Sequence, residues 1–403
     1  MRIALISEHA SPLAAFGGED TGGQNMHVAE LSAALAARGH EVRVYTRRDA
    51  AGRPVEVPAS DGVTIVHVPA GPAKNLPKDE LLPYMGEFGR WLGRQWREGL
   101  WAPDVVHAHF WMSGLAALTA AQDHPAPIVQ TFHALGTVKR RYQGAADTSP
   151  PDRIGLERVL GRSVDRVLAQ CQDEIGELVR LGVPRSRIAL VPSGVNLERF
   201  SPRGSAVPRR PGRHRVLSIG RLVERKGFAD VVASMRYVPD AELVIVGGSA
   251  DPADPQAHRL LELAEHCGVS DRIEMAGSVP PERVAQWYRS ADVLAAAPWY
   301  EPFGLTPLEA MACGVPVVAS AVGGLLDTVV DGVTGDLVPP RDPRALGGAL
   351  RALLRDDVRR RSYAAAALDR ARSAYSWPRA ALQVECVYAE VLEQSHANEV
   401  LTG

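Results

Sequence analysis

Two carboxylates in the stretch YEPFGLTPLEAMACGVPVV, Glu301 and Glu309, flank a Pro-Phe-Gly turn and a Thr-Pro step. Local folding accounts for part of this spacing. Thr306 suits a helix N-cap, Pro307 the first helical position, and Glu309, three residues after the cap, the carboxylate of a capping box. Gly314 then ends the expected helix, and residues 315–320 read as a buried strand. Glu301-Pro302-Phe303-Gly304 is left over. An extended Glu-Pro, a glycine that admits close backbone approach and free amides at a helix N-terminus suit an anion with hydroxyls beside it.

Cations stand upstream. SIGRLVERKGF puts Gly220 and Arg221 at the end of a strand and Lys226 five residues on, one planar fork and one point charge fit for a diphosphate; a solvated basic turn is the plainer alternative. Lysine is scarce here, since only Lys74, Lys78, Lys139 and Lys226 occur among 45 basic residues, so each marks a place where a compact ammonium is preferred to a guanidinium, or chance. Near the start, the loop SEHASPLAAFGGEDTGGQN brings Gly22 and Gly23 to a helix N-terminus, where bare amides face a phosphate or the glycines merely tighten the loop. Neither half carries GxGxxG after its first strand, which argues against a nicotinamide or flavin dinucleotide.

The elements that must position these residues alternate throughout. Apolar runs RIALIS, EVRVYT, VTIVHV, DVVHAHF, PIVQTFH, RVLAQ and RIALVPSGV are separated by helical patterns, such as residues 24–38 with Val28, Leu31 and Leu35 on one face and Gly39 after the end. After a Pro/Arg/Gly-rich break at 196–214 the pattern restarts with RVLSIGRL, ELVIVGG, RIEMAGSV, ADVLAAAP, VPVVAS and TGDLVP. The expectation is an α/β protein of two facing doubly wound, Rossmann-like domains with ligands beyond the carboxyl ends of the strands. An N-terminal domain covers 1–196, a linker 197–214 and a second domain 215–375. A C-terminal helix over 376–403 returns to the first domain; the helical tail, from about Ala364, has no fold of its own.

Bulk properties narrow the partners. The 403 residues are 46% hydrophobic with a net charge of −2, enough for two cores and no general attraction for nucleic acid or anionic membrane. Cys171, Cys267, Cys313 and Cys386 have no CxxC spacing and read as scattered free thiols of a reducing compartment. MRIALISEHASP is too short an apolar run for a signal peptide, and no segment reaches the ~20 apolar residues of a membrane span. A soluble cytoplasmic protein is expected, with a peripheral membrane contact left open.

The stretches GRLVERKG, ADVLAAAPWYEPFGLTPLEAMACGVPVVAS and GGLLDTVVDGVTGDLVPPRDP, with GGEDTGGQNMHVAEL and QTFHALGTVK in the first half, resemble glycosyltransferase family 4 of the two-domain GT-B fold. The resemblance spans essentially the whole chain, and the Glu-x7-Glu spacing around EPFGL is its most specific motif. It implies that Arg221 and Lys226 hold the diphosphate of a nucleotide sugar, that Glu309 takes the ribose and Glu301 the sugar hydroxyls. Gly220 and the amides around Phe303, Gly304, Leu305 and Thr306 would add contacts, and Gly22 and Gly23 would complete the phosphate site. His133 matches the family's histidine beside the donor sugar. Transfer would be retaining, by front-face attack with the leaving phosphate taking the acceptor's proton, with no cofactor and no essential metal.

The first half looks most like the branch that holds sucrose-phosphate synthase, sucrose synthase and the mycothiol-pathway enzyme acting on inositol phosphate. That likeness implies a small phosphorylated polyol or sugar as acceptor, met by Lys74, Lys78, Lys139 and Arg140, next to Arg141; a solvated basic patch is the alternative. His107 and His109 at a strand end serve either packing or acceptor contact. Ala297-Pro298-Trp299 departs from the serine and small residue usual before EPFG, so the donor sugar stays open, a hexose or N-acetylhexosamine on UDP being favoured. A lipid, thiol or natural-product acceptor, a nucleotide-sugar hydrolase or epimerase, and a non-catalytic sensor are the competing readings. Assembly is open, a homodimer included.

Overall fold

The computed structural model describes residues 1–12, 22–60, 62–248 and 254–402. Much of the expected glycine-rich loop, including Gly17 and Gly18, lies outside them. The chain divides into two compact units, residues 1–194 with 377–403, and residues 195–376.

The first unit is an eight-stranded sheet. Its strands are β1 (Arg2–Ile6), β2 (Glu41–Arg47), β3 (Glu56–Ser60), β4 (Val63–Val68), β5 (Val105–His109), β6 (Ile128–Thr131), β7 (Arg166–Ala169) and β8 (Ile188–Leu190), in the order β3-β4-β2-β1-β5-β6-β7-β8. All neighbours are parallel except β3, which runs antiparallel to β4. The apolar runs predicted the parallel strands because both faces of such a sheet are covered. They missed β3, whose Pro58 lacks an amide donor and is tolerated because β3 is an edge. The run expected over 187–195 is strand only at Ile188–Leu190.

The second unit is a six-stranded, wholly parallel sheet of β9 (His214–Ile219), β10 (Ala241–Val246), β11 (Ile273–Gly277), β12 (Val293–Ala296), β13 (Val317–Ser320) and β14 (Gly335–Val338), in the order β11-β10-β9-β12-β13-β14. Strand alternation sends its side chains to two cores. Val216, Leu243 and Ile245 pack with Phe228, Val231 and Leu350, while Leu217, Val244 and Val246 pack with Tyr288, Leu308 and Met311. Each such fully buried side chain contributes about 1.5–3 kcal/mol.

Two boundary expectations change. The stretch 197–214 is no free linker but is pinned within the second unit: Val207 N donates to Gln286 O at 3.2 Å, Arg199 reaches Pro281 O, and Arg209 pairs with Asp292. The helical tail is split. The helix Asp357–Ala374 stays with the second unit, burying Ala367 and Ala371. The last helix, Trp377–Thr402, lays Trp377, Ala381, Val384 and Tyr388 against Ile3, Val28 and Val105 of the first unit. The four cysteines are free thiols, and among the described residues no helix is long and apolar enough to cross a membrane.

Candidate functional site

In each sheet the chain builds outward from its first strand to one side and then crosses to the other, which leaves a topological switch between β1 and β5 and another between β9 and β12. Loops leaving the carboxyl ends of strands at such a point diverge and open a crevice. The sequence-predicted residues gather at these two places.

At the β9/β12 switch, Lys226 Nζ forms a hydrogen-bonded ion pair with Glu301 Oε2, the side chains being 20% and 15% exposed. Both line a cleft with Ser218, Pro298, Thr306 and Leu325. Two backbone devices fix the pair. Gly227, at φ +68°, lets the turn that carries Lys226 press on the end of β12, where a Cβ would sit 1.8 Å from Ala297 O. Glu301 is anchored through its carbonyl, which accepts from Gly324 N at 2.9 Å. Burial pushes the Glu301 carboxyl up, but the charges of Lys226 and Arg225 and the bonds from Lys226 and the Gly304 amide outweigh it and hold the group below its ordinary value. The second cation whose charge lowers Glu301 is thus Arg225; Arg221 is exposed just after Gly220, its carbonyl accepting from Val223 N at 2.8 Å.

The helix after this turn corrects an expectation. It runs Leu305–Ala312 with Gly304 as N-cap at φ +96°, and no side chain caps it, so Thr306 and Pro307 lie inside its first turn. Glycine in the left-handed region turns the chain into the helix directly, which makes a threonine cap unnecessary. Glu309 is therefore released from capping and accepts from Tyr288 OH at 2.7 Å. Burial pushes its carboxyl up to about 7, against the lowering effects of the Tyr288 bond and the charges of Arg199 and Lys226. Phe303 is buried beneath the turn, and Leu305 and Thr306 are half-buried.

At the β1/β5 switch the side chains are mostly histidines. His109 ends β5, His133 follows β6 at φ +59°, and His27 comes from the helix Gly23–Ala36. His109 Nδ1 lies 3.0 Å from His133 Nε2, and the two rings stack with centroids 5.2 Å apart. His27 Nδ1 lies 2.6 Å from Ser193 Oγ and 3.2 Å from Gln170 Nε2. Burial, aided by the charges neighbouring histidines would carry, holds His109 and His133 well below the usual imidazole value, and burial alone lowers His27 to about 3. His107 is a packing residue, fully buried with Nδ1 at 2.7 Å from Tyr388 OH and Nε2 at 2.8 Å from Thr131 Oγ1. Gly22 precedes the helix, its amide donating to Asn25 Oδ1 at 3.1 Å, and Gly23 begins it, exposed.

The basic residues of the first unit converge only in part. Lys139, on the helix Gly136–Gln143, donates to Ser149 Oγ at 2.9 Å and pairs with Asp147 at 3.1 Å and Asp79 at 3.8 Å. Asp79 adjoins half-buried Lys78 and accepts from Thr148 Oγ1 at 2.5 Å, so the segments around 78 and 139 meet. Lys74 is exposed, its carbonyl taken by Arg47 at 2.5 Å, and Arg140 is 49% exposed and 3.9 Å from Asp147. Arg153, unmarked by any motif, is the missed residue: 2% exposed, it joins Ser149 Oγ at 3.1 Å to the carbonyl of Ala134 at 2.6 Å, next to His133, and pairs with Glu157 at 2.7 Å.

Comparison with known proteins agrees with this layout. Residues 21–199 match the family described as Glycosyltransferase Family 4, and residues 205–370 that described as glycosyl transferases group 1. The chain is 40% identical to a D-inositol 3-phosphate glycosyltransferase of Xylanimonas cellulosilytica, over 98% of each chain. It is 35% identical to one of Catenulispora acidiphila, over 97% of this chain and 96% of the relative. Among solved structures, sucrose-phosphate synthase of Thermosynechococcus elongatus superposes with a TM-score of 0.87 at 31% identity, covering 98% of this chain and 99% of that one. An Anabaena protein solved with UDP-glucose shares the fold at a TM-score of 0.73 and 18% identity, over 98% and 100% of the two chains. With relatives of this identity along its full length and two Rossmann-like parallel sheets, the chain belongs to glycosyltransferase family 4, of the GT-B fold.

Proposed function

We propose that this glycosyltransferase moves a hexose or N-acetylhexosamine from a nucleoside-diphosphate sugar, UDP-linked by preference, to a small phosphorylated polyol or sugar, with retention of configuration and without an essential metal. The observation that carries the reading is the Lys226–Glu301 pair at the β9/β12 switch. An ammonium held there suits a diphosphate and stabilises negative charge as it develops on the leaving phosphate, while the carboxylate, kept ionised, accepts from sugar hydroxyls. Arg221 and Lys226 take the diphosphate, Glu309 the ribose, and Glu301 with the amides around Gly304 the sugar. The neutral His133 imidazole accepts from or donates to a sugar hydroxyl.

For the acceptor, the supporting facts are the names of the relatives, D-inositol 3-phosphate glycosyltransferase and sucrose-phosphate synthase, and the meeting of Lys78 and Lys139 around Asp79. Both names contain a phosphate ester. A dianionic ester would exchange for Asp79 and Asp147 as the partner of Lys139.

The test is a product-mass screen of purified protein with UDP-, ADP- and GDP-sugars against free and phosphorylated sugars and polyols, with and without EDTA. A mass gain on a phosphorylated acceptor that survives EDTA is expected. Release of nucleotide with no acceptor gaining mass would keep the donor half and overturn the acceptor half; a gain abolished by EDTA would overturn the metal-free mechanism.

A further inference from the structure

His27, His109 and His133 come from three elements far apart in sequence, yet one imidazole nitrogen of each lies within 4.8 Å of the others. The pair His109 Nδ1 and His133 Nε2 is 3.0 Å apart, close to the ~3.3 Å edge of a nitrogen tetrahedron built on metal–nitrogen bonds of about 2.0–2.1 Å. His109 is fully buried and its Nε2 finds no partner among the described residues, so yielding Nδ1 to a cation costs the ring one hydrogen bond. His27 already has the outer support that orients a metal-binding imidazole. Binding a cation at its Nε2 takes the tautomer with the proton on Nδ1, donated to Ser193 Oγ at 2.6 Å in place of the contact that Nδ1 now accepts from Gln170 Nε2 at 3.2 Å.

We propose that these three histidines form a binding site for a borderline divalent cation of the zinc class, and that the cation inhibits transfer when bound. An all-nitrogen set favours Zn2+, Co2+, Ni2+ or Cu2+ over Mg2+ and Ca2+, which require oxygen ligands. Three protein ligands leave a fourth position for water. The inhibitory half rests on the proposed role of His133: a metal-bound imidazole has surrendered the nitrogen that would meet the sugar. Transfer itself needs no metal in this scheme, so the site is a brake on the reaction rather than a part of it.

The probe is Co2+, titrated into the purified full chain and followed by its visible d–d absorption. One equivalent should give an intense tetrahedral band that one equivalent of Zn2+ removes. His27→Phe and His109→Phe, each checked for folding by circular dichroism, should weaken Co2+ uptake at least about tenfold. X-ray absorption on the zinc-loaded wild-type protein keeps the test decisive if either variant misfolds, since three imidazoles about the metal are expected. No stoichiometric band, an unchanged band in folded variants, or an oxygen-only shell would overturn the site. In the transferase assay, Zn2+ should inhibit and EDTA should restore activity. A tetrahedral band together with undiminished transfer at saturating Zn2+ would retain the site and overturn the inhibition and the role of His133.

Discussion

Lys226 and Glu301 are 75 positions apart in sequence and share one hydrogen-bonded ion pair at the carboxyl ends of two neighbouring strands. Each charge compensates the other. In the proposed reaction a donor diphosphate competes with Glu301 for Lys226, and the freed carboxylate gains hydroxyl partners as the ammonium gains phosphate. Lys226→Ala should lower turnover at least about tenfold, because it removes a cation from the leaving group. It also strands Glu301, whose carboxyl then loses the first of the charges that hold it down. A steady-state assay that returned near-wild-type kcat would remove Lys226 from the donor site.

Glu309 gives a prediction with a pH signature. Burial raises its carboxyl to about 7, into the neutral range. In the ribose-binding role proposed for Glu309, hydroxyls donate to the ionised form, so donor binding should lower its pKa and strengthen as pH rises through 7. UDP-glucose, whose diphosphate diester has no proton to lose near neutrality, should bind about tenfold tighter at pH 8 than at pH 5.5. Glu309→Gln should bind more weakly with a flat profile. Identical slopes in calorimetric titrations of the two proteins would show that Glu309 does not meet the ribose.

What the sequence showed and what it hid have the same physical origin. Thirteen of the strands could be read from it because parallel strands buried on both faces appear as unbroken apolar runs. β3 could not, since Pro58 is a signal against a strand and only its edge position excuses it. The helix carrying Glu309 was placed two residues late because the Thr-Pro step looks like a cap, while the real cap depends on the left-handed φ of Gly304, which residue type permits but does not announce. EPFGL and GRLVERKG marked the Lys226–Glu301 site. Tyr288, Arg153 and His27 were invisible, because each lies on an element whose own pattern is ordinary and meets a partner that no motif names. A tyrosine on the helix Pro281–Ser290, or a histidine beside Val28, looks like packing until Glu309 and His133 are seen beside it.

Lys139 should act on one substrate only. Lys139→Ala is expected to raise the KM for a phosphorylated acceptor severalfold with little change in kcat, and to leave the KM for the donor as it was. Loss of its ties to Asp147 and Ser149 will also loosen the 144–149 segment, so a paired control is needed. Asp147→Asn breaks the same tie while leaving the ammonium, and should lower the acceptor KM or leave it unchanged. If both variants raise it alike, Lys139 only fastens the segment and the acceptor phosphate is bound elsewhere.

Glu174 offers a stability test close to the histidines. Its side chain is 6% exposed on the helix Gln172–Leu181, and Oε2 accepts from Gln170 N at 2.7 Å, which fixes the residue whose side chain holds Ser193 and His27. Burial pushes its carboxyl up to about 7, above the ~4.3 of the unfolded chain. The folded state therefore binds a proton more tightly than the unfolded one. The stability this gives is complete below pH ~4.3, falls as pH rises through 7, and is gone above that. Glu174→Gln keeps an oxygen for the Gln170 amide and removes the titration. Thermal melting of variant and wild type should coincide near pH 5 within the cost of the swap. At pH 8 the variant should be the more stable, by on the order of 1–3 kcal/mol. A difference that did not change between pH 5 and pH 8 would mean that Glu174 stays ionised in the folded protein, with water or a cation reaching it from the histidine side.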